Sequence, residues 1–201
     1  MDKYGELINC DELHYAEVTK DDDSTYTAAV PAFLAPMADI AIDVPNSTNA
    51  RYYDGQKRFV TIIEGDTNVT IVVSGVPLAL AAELTGKEYD ESTGMFYDTG
   101  DVSSAPWFAL SARCELGDGG HRYLQLLKGK FSISGEKAHT REDNITVNTT
   151  EVTFSAVKTV HKFTLPSGKK DGLKGVKAET TDANFTGEAS WFSKVQVPAE
   201  A

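Results

Sequence analysis

The sequence predicts a mainly β fold, an antiparallel barrel or sandwich with one short flanking α-helix and extended loops and termini. Three observations predict it. Short runs rich in β-branched and aromatic residues recur with period-two alternation, the mark of strands with one buried face. Clusters of Gly, Pro, Asn and Asp separate those runs as turns do. Only one stretch, from Pro77 to Gly86, carries helical spacing.

The chain is organised around that stretch and the run before it. Val69, Ile71 and Val73 alternate with Asn68, Thr70 and Ser74, so Asn68–Ser74 reads as a strand with an apolar and a polar face. Pro77 suits the first turn of a helix, where its missing N–H costs nothing. Leu80, Ala81 and Leu84 continue its stripe, and Gly86 supplies the positive φ of a C-cap. A helix this short cannot stand alone in water, so it has to dock on the strands.

The other elements follow in chain order. Leu13 to Val18 alternates as a first strand and ends in the turn Asp21-Asp22-Asp23. Tyr26 to Leu34 gives a second strand closed by Pro36, and Asp39 to Val44 a third with Ile40, Ile42 and Val44 on one face. Residues 45–58, PNSTNARYYDGQKR, carry loop chemistry, yet Tyr52 and Tyr53 are costly to leave bare on a loop. Val60 to Ile63 is a further strand. Residues 88–106 read as a long loop holding Met95, Phe96 and Tyr97.

Trp107 to Arg113 and His121 to Leu127 form a hairpin across Gly117-Asp118-Gly119-Gly120. Lys130 to Ser134, Ile145 to Val147 and Glu151 to Val157 complete the strands, the last with Val152, Phe154 and Ala156 inward. Residues 1–160 therefore read as the β domain. Residues 161–201 read as a basic connector and a C-terminal arm, whose aromatic pair Trp191-Phe192 docks on the same body or a neighbour.

Bulk properties exclude several classes. Net charge is −11, with 41% hydrophobic and 24% charged residues, so the chain can bury a core but has no basic footprint for gripping nucleic acid. No run approaches the roughly 20 apolar residues of a membrane span. The acidic opening MDKYGELINCDELHYAEV has no secretory character, so Cys10 and Cys114 are expected as free, structural thiols. For the same reason the Asn-x-Ser/Thr sequences at Asn46, Asn68, Asn144, Asn148 and Asn184 read as ordinary strand and turn composition.

Charge also varies along the chain. Eight acids fall in residues 1–23 and six lysines in 158–177, a contrast that could let one subunit's terminus orient on its neighbour's connector. His14, His121, His139 and His161 are scattered, without metal-ligand spacing. Nucleophile elbows, phosphate loops and dinucleotide fingerprints are absent from the sequence. No catalytic, cofactor-binding or metal-ligating residue is assigned, and the expectation is a non-enzyme.

A resemblance supplies what chemistry does not. The opening KYGELINCDELHYAEVTKDD, AFLAPMADIAIDV with the aromatic-Asp segment RYYDG, and VTIVVSGVPLALAAELTGKEYD fall in a familiar order. APWFALSARCELGDGGHRYLQLLKGKFS, GEKAHTREDNITVNTTEVTFSAV and WFSKV follow. Their collinearity from Lys3 to Val195 resembles the major tail proteins of long-tailed phages (siphophages) of Gram-positive bacteria.

That resemblance implies hexameric rings stacked into a tail tube around a tape-measure protein, bounded by tail-tip and tail-terminator proteins. Such a protein resides in the virion after assembly in the host cytoplasm, and phage DNA passes through its lumen unbound. The resemblance matches residues 45–58 to a loop reaching an adjacent subunit or ring, with Tyr52, Tyr53 and Asp54 as contact candidates. Trp191 and Phe192 are second contact candidates. The polar strand faces carrying Asn68, Thr70 and Ser74, and Glu151, Thr153 and Ser155, are candidates for the lumen wall. The competing reading is a β-sandwich binding module for carbohydrate or host surfaces, served by the aromatic segment Met95–Tyr97.

Overall fold

The computed structural model describes residues 5–101, 103–135 and 148–198. The expected strand Ile145–Val147, His139 and Asn144 lie outside these residues. The protein is mainly β, with a large antiparallel sheet that does not close into a barrel and, among the described residues, one α-helix.

The first half runs β1 (Leu7–Asp21), β2 (Tyr26–Ala28), β3 (Ala32–Phe33), β4 (Met37–Asp43), β5 (Asn46–Tyr53), β6 (Gln56–Glu64), β7 (Thr67–Val73) and α1 (Leu78–Thr85). The second half runs β8 (Glu88–Asp90), β9 (Met95–Tyr97), β10 (Phe108–Leu116), β11 (His121–Ile133), β12 (Thr150–Ala156), β13 (Phe163–Thr164), β14 (Lys170–Asp171) and β15 (Gly175–Glu179). A 3-10 turn, Glu188–Ser193, precedes the C-terminal residues.

The main sheet has the order β2-β1-β10-β11-β12-β7-β4, with β3 on β1 and β15 on β11. Two expected strands are one here: β11 runs unbroken through Lys128 and Gly129 and changes partner midway, from β15 to β12. A register shift opposite Phe108 and Leu110 lets it do so without moving apolar residues out of the core. A Cβ at Gly129 would lie 2.4 Å from Phe154 Cζ, so this position leaves room for the ring. Conversely, the single strand expected over Tyr26–Leu34 is two, interrupted around Val30 and Pro31.

Val69, Ile71, Val73, Val152, Phe154 and Phe131 fill the core from one sheet face, and α1 closes it with Leu84. The helix ends as expected, with Gly86 left-handed at φ 71°. A Cβ there would also lie 2.6 Å from Ala105 Cα. Pro77 stands at the N-cap rather than inside the first turn, and Ala82, Leu84 and Thr85 are the residues α1 buries.

The opposite face of β1 and β10–β11 is covered by the C-terminal segment. Trp191 is buried and donates from Nε1 to Ser111 Oγ at 2.9 Å. Its ring packs against Tyr123, and Phe192 stacks on His14 at 4.3 Å. The arm expected to dock on the same or a neighbouring body is therefore seated on its own chain. Because β15 pairs with β11, the segment after residue 160 is also woven into the main sheet rather than set apart from it.

Cys10 and Cys114 are not free. They face each other across β1 and β10 and form a disulfide. The expectation of free thiols rested on compartment and spacing, whereas the bond follows from register. A pair far apart in sequence becomes cross-strand neighbours once β1 and β10 align.

Candidate functional site: an exposed hairpin arm and an open polar face

The segment expected as a loop is a hairpin. Residues 46–53 and 56–64 pair over their whole length, and Asp54 and Gly55 turn at φ 52° and 73°. Positive φ at both central residues is the type I′ geometry that Asp-Gly supplies readily. Asn46 opposes Glu64 at the base and Tyr53 opposes Gln56 at the tip. Asp54 itself points to solvent and lies 3.9 Å from Arg58.

Neither face of this arm reaches the core. One face carries Arg51, Tyr53, Phe59, Thr61 and Ile63, with Tyr53 edge-on to Phe59 at 6.0 Å. The other carries Thr48, Ala50, Tyr52, Val60 and Ile62. Phe59, Val60, Ile62, Ile63 and Tyr52 are each more than half exposed, and Tyr53 nearly so. Apolar residues on both sides of an unpacked ribbon are what solubility disfavours and contact requires.

The arm's base is held. Lys174 donates to the Glu64 carboxylate at 2.8 Å and also to the Gly65 carbonyl. That ammonium holds the Glu64 carboxyl below its ordinary range. The lysine-rich connector therefore engages the arm within one chain. Lys158 and Lys169 likewise pair with Asp171.

Asp21, in the acidic segment, accepts from the Val160 and His161 backbone and from Lys128. Burial pushes its carboxyl up, but the His161 N–H, the Lys128 ammonium and the Val160 N–H outweigh burial and hold it below the ordinary value. Several charges expected to meet between subunits thus already have partners within the chain.

The two polar faces singled out in the sequence become one. Registers align Asp43, Asn68, Ser155 and Lys130 in one row, and Ala41, Thr70, Thr153 and Ser132 in the next. Asp39, Val72 and Glu151 form a third, and Ser74 follows the end of β7. Ser155 Oγ donates to Asn68 Oδ1 at 2.9 Å across two of these strands. Small and acidic side chains dominate this face, with Lys130 drawn toward the Trp107 ring at 4.9 Å.

Of the contact candidates, Tyr52, Tyr53 and Asp54 stand on the arm and are exposed. Trp191 is buried against its own chain, and Phe192 packs beside it on Tyr123. Sequence reasoning missed Phe59, Val60, Ile62 and Ile63 as surface residues. The signal was available: FVTII does not alternate, and Asp54-Gly55 between two β-prone runs is a hairpin dipeptide. No family model matches the chain, and no curated protein matches it in sequence.

Proposed function

We propose that this protein is a self-assembling structural subunit of the tail-tube kind its sequence resembles, forming hexameric rings that stack around a tape-measure protein into a conduit for DNA. The observation that carries this reading is the β5–β6 arm, which exposes apolar side chains on both faces and finds no core of its own. An arm of that kind is stable in water chiefly when a partner covers it.

The open face of β4, β7, β12 and β11 supports the lumen assignment. Rows of Asp, Asn, Ser and Thr offer few cations to neutralise phosphate, so DNA would release few counterions there and slide. Multiplied around a ring, Asp39, Asp43 and Glu151 would repel the passing backbone.

The test is electron microscopy and sedimentation velocity of the purified protein at rising concentration, with and without tail-tip and tape-measure proteins. Rings or tubes are the expected outcome. Persistent monomers in every condition would overturn the reading. Carbohydrate binding by such monomers would favour a binding module instead.

A further inference from the structure

We propose that the arm face carrying Arg51, Tyr53 and Phe59 docks on the β8–β9 ribbon of a second copy of this chain, over Glu88, Met95 and Tyr97. The inference rests on the self-assembly reading above and names the surface that receives the arm.

Shape is the first argument. Asn49, Arg51, Tyr53, Phe59, Thr61 and Ile63 line a shallow hollow of about 360 Å³ on this face. On the β8–β9 ribbon, Glu88 opposes Tyr97 and Asp90 opposes Met95, so these four share one face. Met95 and Tyr97 are both about half exposed, at 55% and 46%. Tyr89 and Phe96 lie on the other face, with Lys87 5.6 Å from the Phe96 ring. The ribbon thus presents two apolar side chains that can enter a hollow of matching character.

Charge is the second. At the arm's tip Arg58 is near Asp54, but Arg51 and Lys57 have no carboxylate partner among the described residues. On the ribbon, Lys87 pairs with Asp98, and Asp90 is occupied by Ser92 and Thr93. Glu88 and Glu91 have no cationic partner among the described residues. Lys57 opposes Tyr52 on the arm's other face, so on the docking face one free cation, Arg51, is available to one free carboxylate, Glu88. An arginine laid over Tyr97 beside Glu88 would gain both a planar stack and a charge-assisted hydrogen bond.

The other hollows fit worse. The groove lined by Ile42, Val44, Leu124 and Leu126 holds Lys177 beside the Lys174–Glu64 pair, so its unpaired charge is cationic and disfavours Arg51. The hollow between Leu7–Cys10 and Ala38–Ile40 offers one acid, Asp39, and no aromatic side chain.

The experiment compares Arg51→Glu, Glu88→Arg and the chain carrying both, with thermal melting as a folding control. A photo-cross-linking benzoylphenylalanine at Tyr53 maps the neighbour by mass spectrometry. Each single reversal should cut the assembled fraction at least tenfold at a concentration where the wild type assembles. The double reversal should restore it, and Tyr53 adducts should fall on residues 88–101. Wild-type assembly by either folded single variant would overturn the contact, as would failure of the folded double variant to recover. Tubes whose adducts map elsewhere would overturn this contact alone, leaving the self-assembly reading intact. Absence of any assembly by the wild type would overturn both.

Discussion

Lys128 Nζ lies 2.6 Å from Asp21 Oδ2, and the two side chains are only 10% and 4% exposed. The carboxylate also accepts the Val160 and His161 N–H groups, while the ammonium sits 4.6 Å from the Trp107 ring. One pair thus ties the end of β1, the middle of β11 and the start of the connector.

Removing either charge would leave the other buried without its counter-charge. Asp21→Asn is expected to destabilise the fold by about 3 kcal/mol, the usual scale for breaking a buried pair. The sign of the pH effect follows from the lowered carboxyl. Its contribution is complete above the ordinary value of 3.8 and is lost as pH falls through the lower folded value. Asp11, lowered by its hydrogen bond to Arg113, acts in the same direction. Urea midpoints measured from pH 6 downward should fall steeply below that value in the wild type and less steeply in Asp21→Asn.

The Cys10–Cys114 bond joins residues 104 apart in sequence. On the loop-entropy account a closure of that length stabilises by about 4–5 kcal/mol, with strain and residual structure reducing the figure. Denaturant unfolding with and without reductant should show the loss, and Cys114→Ala should make the two curves coincide.

Trp191 and the arm should separate stability from assembly. Trp191→Ala removes a buried ring and its bond to Ser111, and is expected to cost the monomer about 3–5 kcal/mol. Ile63→Ser, on the exposed docking face of the arm, should change monomer stability by no more than about 0.5 kcal/mol. The same substitution should abolish assembly, because it places a hydroxyl where a partner expects an apolar side chain. Thermal melts paired with sedimentation velocity would read both effects.

The lumen assignment predicts a kinetic phenotype. Lys substituted at Thr70 and Thr153, which pair across β7 and β12, would place two cations side by side on the open face. Tubes should still assemble, since both positions lie away from the core. Genome ejection from such particles should slow, and the slowing should fade at higher ionic strength. Ejection at the wild-type rate would remove this face from the wall.

The sequence by itself determined the fold class, the helix from Leu78 to Thr85 and its Gly86 cap, and which faces of β7 and β12 are apolar. Alternation and cap chemistry are local, so a single chain displays them. Tertiary structure alone decided three other matters. It merged the Asn68–Thr70 and Thr153–Ser155 faces into one surface, because only pairing places β7 beside β12. It brought Cys10 to Cys114 and Asp21 to Lys128, since sheet order sets which distant residues meet. It also left Phe59, Val60, Ile62 and Ile63 bare. Composition marks them as core residues, but burial depends on what a strand packs against, and among the described residues nothing covers either face of the arm.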